Sequence, residues 1–182
     1  MNVRAIVLAA GQGSRFGSAK PAVPFRGSTL LQRVIESIPV KDLIVVGTEA
    51  NLEGTRMGIG ARVVLNPEPS RGMGYSIALG VREAAGEDVV LIALGDMPLV
   101  PRFHFEALIA AIRTPRDIAA TRPEGETRLM VPAAFGSEHF EALSELDGDQ
   151  GARHLFGPGT MPIEVDGRFL VDIDRPEDLD FD

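Results

Sequence analysis

Cysteine is absent from the 182-residue chain, which removes disulfide frameworks, cysteine-based zinc sites and thiol nucleophiles in one step and fits a reducing cytoplasm. Positive charge is in deficit. Eighteen Lys plus Arg stand against 26 Asp plus Glu, and the net charge of −8 opposes long-range attraction to duplex nucleic acid or an anionic membrane, so neither is an expected partner. Long apolar runs are missing as well. The apolar start from Val3 to Ala10 turns directly into a glycine-rich stretch without a small-residue cleavage pattern, and no run approaches the ~20 apolar residues of a membrane span. A cytoplasmic protein with neither signal peptide nor span is the expectation. No serine lies in a Gly-x-Ser-x-Gly elbow, so a hydrolytic triad is not expected. His104, His139 and His154 fall in or beside helical patterns at spacings that suit no metal, and they read as solvated or partly packed side chains. The few aromatic residues, nine Phe and one Tyr, belong to the core.

Hydrophobic content of 45% with 24% charged residues describes a folded globule. The length is one domain's worth, and without linker, repeat or low-complexity stretch residues 1–182 read as a single domain. Unbroken apolar runs at Arg4 to Ala9, Leu43 to Val46, Arg62 to Leu65 and Val89 to Leu94 have the pattern of parallel strands covered on both faces. Helical patterns separate them. Thr29 is placed to cap a helix with Gln32 three residues on and Leu30, Leu31, Val34, Ile35 and Ile38 on one face, closed by Pro39. Further helices are expected over Tyr75 to Ala85, Phe103 to Ile112, Glu138 to Leu146 and, briefly, Gln150 to Phe156. From Asp117 onward, short strands at Asp117 to Thr121, Leu129 to Val131, Ile163 to Val165 and Phe169 to Ile173 suggest a mixed edge. The fold class is therefore α/β, a doubly wound and mostly parallel sheet between helical layers.

Leu8-Ala9-Ala10-Gly11-Gln12-Gly13-Ser14-Arg15-Phe16-Gly17-Ser18-Ala19-Lys20 is the most informative stretch. Three glycines after a buried strand let backbone N–H groups approach an anion closely, since no Cβ stands in the way. It is neither a dinucleotide fingerprint, whose third glycine place falls on Phe16, nor a Walker A loop. Arg15 and Lys20 instead supply two cations able to grip a β- and γ-phosphate and to neutralise a leaving pyrophosphate. Nucleotidyl chemistry also asks for carboxylates holding a divalent cation at the carboxyl ends of strands. Gly95-Asp96-Met97-Pro98 ends a strand, and Asp172 and Asp174, two residues apart on an expected strand, would share one face. As bare patterns these remain equally a turn residue and a helix cap. Asn66-Pro67-Glu68-Pro69-Ser70-Arg71-Gly72-Met73-Gly74-Tyr75-Ser76 leads from a strand into a helix and reads either as a plain capped connection or as a base- or phosphate-binding loop.

The stretch from Leu8 to Lys20, continued by Pro24-Phe25-Arg26-Gly27-Ser28-Thr29-Leu30-Leu31, resembles the signature of the MobA-like nucleotidyltransferases, most closely their molybdenum cofactor cytidylyltransferase branch. That resemblance implies a Rossmann-like three-layer domain of the nucleotide-diphospho-sugar transferase type. Guanylyl relatives usually carry Gly-Gly where this chain has Ala10-Gly11, and the form Ala9-Ala10-Gly11 resembles the cytidylyl branch, which implies CTP. By the same resemblance Arg15 and Lys20 are catalytic; Leu8, Ala9, Ala10, Gly11, Gln12, Gly13, Ser14, Lys20, Asn66, Gly72, Ser76 and Asp96 bind the nucleotide. Asp96 and Asp174 would hold Mg2+ or Mn2+, with Asp172 in reserve. Gly148-Asp149-Gln150-Gly151-Ala152-Arg153 is similar to the family's acceptor-side run, so Arg153 would meet the phosphate of a molybdopterin-type acceptor. A molybdenum hydroxylase receiving the finished cofactor is the implied protein partner. Gly74 and Tyr75 depart from the usual small polar and larger aliphatic residues, and Glu126-Thr127-Arg128 stands where Gly-His-Pro or Gly-Asn-Pro is usual.

Three rivals stay open. One is nucleotidyl transfer to a sugar or alditol phosphate on the same fold. A nicotinamide-dependent reductase is the second, opposed by the failed dinucleotide fingerprint. The third, a non-catalytic accessory of a molybdenum hydroxylase, is opposed by the retained cations and carboxylates.

Overall fold

Apolar runs give strands buried on both faces at Val3–Ala9, Leu43–Gly47 and Val89–Leu94, whereas the strand at Ala61–Leu65, expected to be covered likewise, lies at the sheet edge with Val63 42% and Leu65 51% exposed. The computed structural model describes residues 1–11, 23–53, 55–58 and 60–173. It runs β1 (Val3–Ala9), β2 (Pro24–Phe25), β3 (Ser28–Thr29), α1 (Leu30–Ser37), β4 (Leu43–Gly47), α2 (Glu49–Leu52), β5 (Ala61–Leu65), α3 (Met73–Arg82), β6 (Val89–Leu94), α4 (Arg102–Ala111), β7 (Ile118–Pro123), β8 (Met130–Gly136), α5 (Phe140–Ser144) and β9 (Met161–Val165). Seven strands make one sheet in the order β5-β4-β1-β6-β8-β7-β9, while β2 and β3 form a separate hairpin turned by Arg26 and Gly27, both at positive φ. Pairing is parallel from β5 through β6, antiparallel on both sides of β8, and parallel again between β7 and β9. One reversed strand thus produces the mixed edge that the sequence pattern suggests.

Alternation along the strands assigns each side chain to a layer. Ala5, Val7, Leu91 and Ala93 face Leu31, Val34 and Ile35 of α1 and Phe105 and Leu108 of α4. Ile6, Leu8, Val90 and Ile92 face Ile77 and Val81 of α3 and Leu143 of α5. The order β5-β4-β1-β6 reverses chain direction of travel beside β1, because the chain leaves β1 toward β4 and later returns to β6 on its other side. Such a switch opens a crevice at the carboxyl ends of the two strands. Thr29 caps α1 as its sequence suggests, its hydroxyl accepting from Gln32 N–H at 3.1 Å.

Late in the chain the structure departs from expectation. Phe169 to Ile173 is not a strand. Asp166 caps a 3-10 turn over Gly167–Phe169, accepting from Arg168 N–H at 2.9 Å, and the following segment is held instead by Ile173 N–H donating to Asp96 O at 3.1 Å. Asp172 therefore does not stand on a strand face, and Asp174 lies outside the described residues. The helix expected over Glu138 to Leu146 is a 3-10 turn, Ser137–His139, followed by the short α5, and Gly151–Leu155 is 3-10 rather than α.

His104 is neither solvated nor partly packed, being only 1% exposed. Its Nε2 lies 2.8 Å from Thr121 Oγ, which in turn donates to Pro132 O at 2.6 Å. A hydroxyl has one hydrogen, already given to Pro132, so the imidazole Nε2–H donates to it. Burial pushes the His104 pKa down to about 4 from an ordinary 6.5. Between those values the unfolded chain binds the extra proton, so stability is full above pH 6.5 and falls as pH drops toward 4. Asp117 and Asp147, both held below the usual carboxylate range by hydrogen bonds, act only at lower pH. Urea unfolding at pH 7 and pH 4.5 should show a loss of roughly 2–3 kcal/mol from this group. His104→Gln should flatten that dependence; an unchanged slope would remove His104 as its source.

Candidate functional site

Polar groups first appear where the buried strands end. Leu8, Ala10 and Gly11 close β1, Leu94 and Asp96 close β6, and Gly95 N–H ties the two by donating to Leu8 O at 2.9 Å. These residues form one wall of a cleft of about 510 Å³. The opposite wall is the β5–α3 connection, contributing Pro69, Ser70, Gly72, Met73 and Ser76, with Asp149 at the rim. Of the residues that sequence points to for the nucleotide, Leu8, Ala10, Gly11, Gly72, Ser76 and Asp96 meet around this cleft, and Ala9 lies buried directly behind them.

Asn66 is spent on bracing. Its Nδ2 donates to Ser76 Oγ at 3.0 Å and its Oδ1 accepts from Glu68 N–H at 2.8 Å, so the side chain holds the loop and orients the serine at the cleft. Asn51, which sequence reasoning passed over, braces the other wall. It is 5% exposed on α2, and its Nδ2 donates to Ala9 O at 2.6 Å and Gly11 O at 3.0 Å, pinning the end of β1 where the glycine-rich stretch begins. Only the helix-capping Thr48 before it signals anything in sequence, its hydroxyl accepting from Asn51 N–H. Gln12, Gly13, Ser14, Arg15, Lys20 and Asp174 lie outside the described residues.

A second connection packs onto the β5–α3 loop from far along the chain. Gly72 has φ +91°, and Gly74 N–H donates to Gly148 O at 2.8 Å. A Cβ on Gly74 would stand 2.7 Å from Asp147 O and 2.8 Å from its carbonyl carbon, both backbone atoms. Glycine here is required by close approach, which accounts for the departure from a small polar residue. Tyr75 also has a local use: the Arg71 guanidinium lies 3.9 Å over its ring while pairing with Asp147, Nη2 to Oδ2 at 2.8 Å and Nε to Oδ1 at 3.2 Å. That pair holds the Asp147 carboxyl below the usual range and raises the Arg71 pKa. Both partners are largely exposed, so the ion pair adds little and the backbone fit sets the geometry.

The close approach brings a second cleft, about 680 Å³, against the first. Met73, Leu94 and Asp149 line both. The second cleft adds Arg128, Met130 and Val131 from the start of β8 and Arg153, His154 and Phe156 from the 3-10 turn and its end. Asp172 opens onto it, carried there by the Ile173–Asp96 backbone bond. Sequence motifs pointed to Arg153 and Asp172, but not to Asp149 as the shared wall or to Arg128 as a neighbour. Among the described residues no group of three or more His, Asp or Glu side chains is placed to hold a metal by itself, and no helix is long and apolar enough to cross a membrane.

The MobA-like NTP transferase domain matches residues 5–162 of this chain. The purine catabolism protein PucB of Bacillus subtilis (strain 168) is 32% identical over 96% of this chain and 93% of its own length. Molybdenum cofactor guanylyltransferase of Rhodobacter capsulatus is 28% identical over 98% of this chain and 94% of its own. A solved nucleotidyl transferase from Methanothermobacter thermautotroptrophicus (Mth528) superposes with a TM-score of 0.80 at 26% identity, covering 97% of this chain and 94% of that one.

The glycine contact is open to test. Gly74→Ala should destabilise the fold by about 1–3 kcal/mol, the usual range for overpacking, because backbone rather than a flexible side-chain end must move. Denaturant unfolding measures it, and a change below ~0.5 kcal/mol would mean that the 147–149 connection yields freely.

Proposed function

The chain belongs to the MobA-like NTP transferase family, and from that premise we propose that it transfers cytidylyl from CTP to the phosphate of molybdopterin or molybdenum cofactor, with pyrophosphate leaving. The observation that carries this reading is the pair of adjoining clefts at the sheet's switch point, sharing Met73, Leu94 and Asp149. Two ligands held there would meet at the shared wall, which is what in-line transfer between two bound molecules requires. An oxygen of the acceptor's phosphate attacks the α-phosphorus, the bond to the β-phosphate oxygen breaks, and no protein nucleophile is needed. This agrees with a chain lacking cysteine.

In this reading the nucleotide occupies the first cleft and the acceptor the second, with Arg153 and Arg128, which both line that cleft, facing the acceptor's anionic group. Arg15 and Lys20 would grip the β- and γ-phosphates and stabilise the leaving pyrophosphate. CTP is favoured by the form Ala9-Ala10-Gly11. The acceptor is suggested by the similarity to a molybdenum cofactor guanylyltransferase, and a molybdenum hydroxylase taking up the product would be the partner.

The donor set suits a hard divalent cation. Asp96 and Asp172 supply carboxylate oxygens from backbone segments joined at 3.1 Å, and Asp174 follows two residues later. Magnesium commonly takes only one or two protein carboxylates and completes its shell with substrate phosphates and water, so no larger cluster is required. Mg2+, or Mn2+ in its place, would supply charge stabilisation at the transferring phosphoryl group. Asp96 and Asp174 would hold it, Asp172 being the substitute ligand.

CTP with magnesium at about a hundred times its dissociation constant should add ~2.7 kcal/mol and raise the melting temperature by roughly 5–10 °C, with smaller shifts for ATP and GTP. An equal or larger shift with GTP would remove the cytidylyl assignment. Asp96→Asn should melt within a few degrees of the parent yet lose metal-dependent pyrophosphate release about a hundredfold or more, since a ligand charge is withdrawn where phosphoryl charge develops. Retained turnover would make Asp96 a turn residue only.

A further inference from the structure

The buried chain His104–Thr121–Pro132 has no part in the chemistry above, and its position explains why it exists. Pairing between β7 and β8 slips beyond Ala120: Ala120 stands opposite Ala133, but Thr121 stands opposite Met130. Val131 and Pro132 are therefore surplus to the ladder, a bulge in β8. Pro132 has no N–H, and its carbonyl has to find a donor outside the ladder. Thr121, fully buried, provides it at 2.6 Å, and that commits the hydroxyl's only hydrogen. The hydroxyl oxygen accepts from His104 at 2.8 Å, which fixes the rotamer of Thr121 from α4. Apolar side chains could fill this space but would leave the Pro132 carbonyl without a partner.

The bulge sits beside the second cleft. Arg128, Met130 and Val131 reach that cleft from the residues leading into and through the slip, and Arg153 lines the same cleft. Bulges re-aim side chains and recur next to functional sites. We propose that Thr121 and His104 are positioning residues for the second cleft: by holding the bulge they set where the segment from Arg128 to Val131 stands relative to Arg153. The ligand meant is an anion with a phosphate monoester group, so the inference rests on the second cleft being the acceptor site. Neither residue lines a cleft, and their effect travels through the strand that does.

Phenyl phosphate serves as the probe, its binding measured by titration calorimetry, with CTP affinity measured separately. Thr121→Val keeps the shape of the side chain and removes its hydrogen bonds; Thr121→Ser keeps the hydroxyl. Thr121→Val is expected to weaken phenyl phosphate about tenfold, leave CTP within twofold, and move the methyl NMR resonance of Met130 while that of buried Met97 stays in place. Thr121→Ser is expected to restore both the affinity and the Met130 signal, and His104→Gln to fall between the two. Unchanged probe affinity and an unmoved Met130 in Thr121→Val would overturn the proposal, as would an equal loss of CTP or a failure of the serine variant to restore. Should Thr121→Val fail to fold, His104→Gln carries the same comparison. If phenyl phosphate does not bind the parent protein at all, the acceptor reading falls, and the Met130 resonance alone decides whether the bulge is held by Thr121.

Discussion

Because β1 and β6 lie side by side in the sheet with helices over both faces, every fully buried position on either strand is apolar, and the polar groups of the cleft stand where the strands end. Gly11 and Asp96 are the outcome of that constraint at the two ends. The neighbouring strands share one direction, so both ends open on the same side of the sheet, and the reversal of chain travel beside β1 leaves room for a cleft there. The first cleft is in this sense a product of core packing before any ligand enters it.

The second cleft depends on something else, a backbone fit between segments distant in sequence. Gly72 and Gly74 let the 147–149 connection lie directly on the start of α3, where any side chain would meet main-chain atoms. The Arg71–Asp147 pair decorates this contact on the exposed side and is worth little in water. What the contact achieves is placement, since Met73 and Asp149 then belong to both clefts. The surrounding braces work alike: Asn51 and Asn66 use buried amides to hold backbone at the first cleft, and Thr121 uses a buried hydroxyl to hold the bulge at the second. Arg128 and Arg153 line the second cleft together with Asp149 and Asp172, so charges of both signs face a ligand there.

Much of this architecture is legible in sequence. Unbroken apolar runs mark the four parallel strands, the Thr29 cap and its helical spacing mark α1, and the residues ending β1 and β6 mark the first cleft, because periodicity and burial are local properties of the chain. Strand character fails at Phe169 to Ile173, where alternation of apolar residues reflects a loop packing Val171 and Ile173 against Phe25 and Leu30 rather than a ladder. Only tertiary structure decided that Gly74 is an approach point, that His104 is buried and neutral, that Asn51 pins Gly11, that Asp149 lines both clefts and that Arg128 lines the second. Those facts rest on contacts across tens of residues, and no local pattern of residue types encodes which distant backbone will come to lie against them.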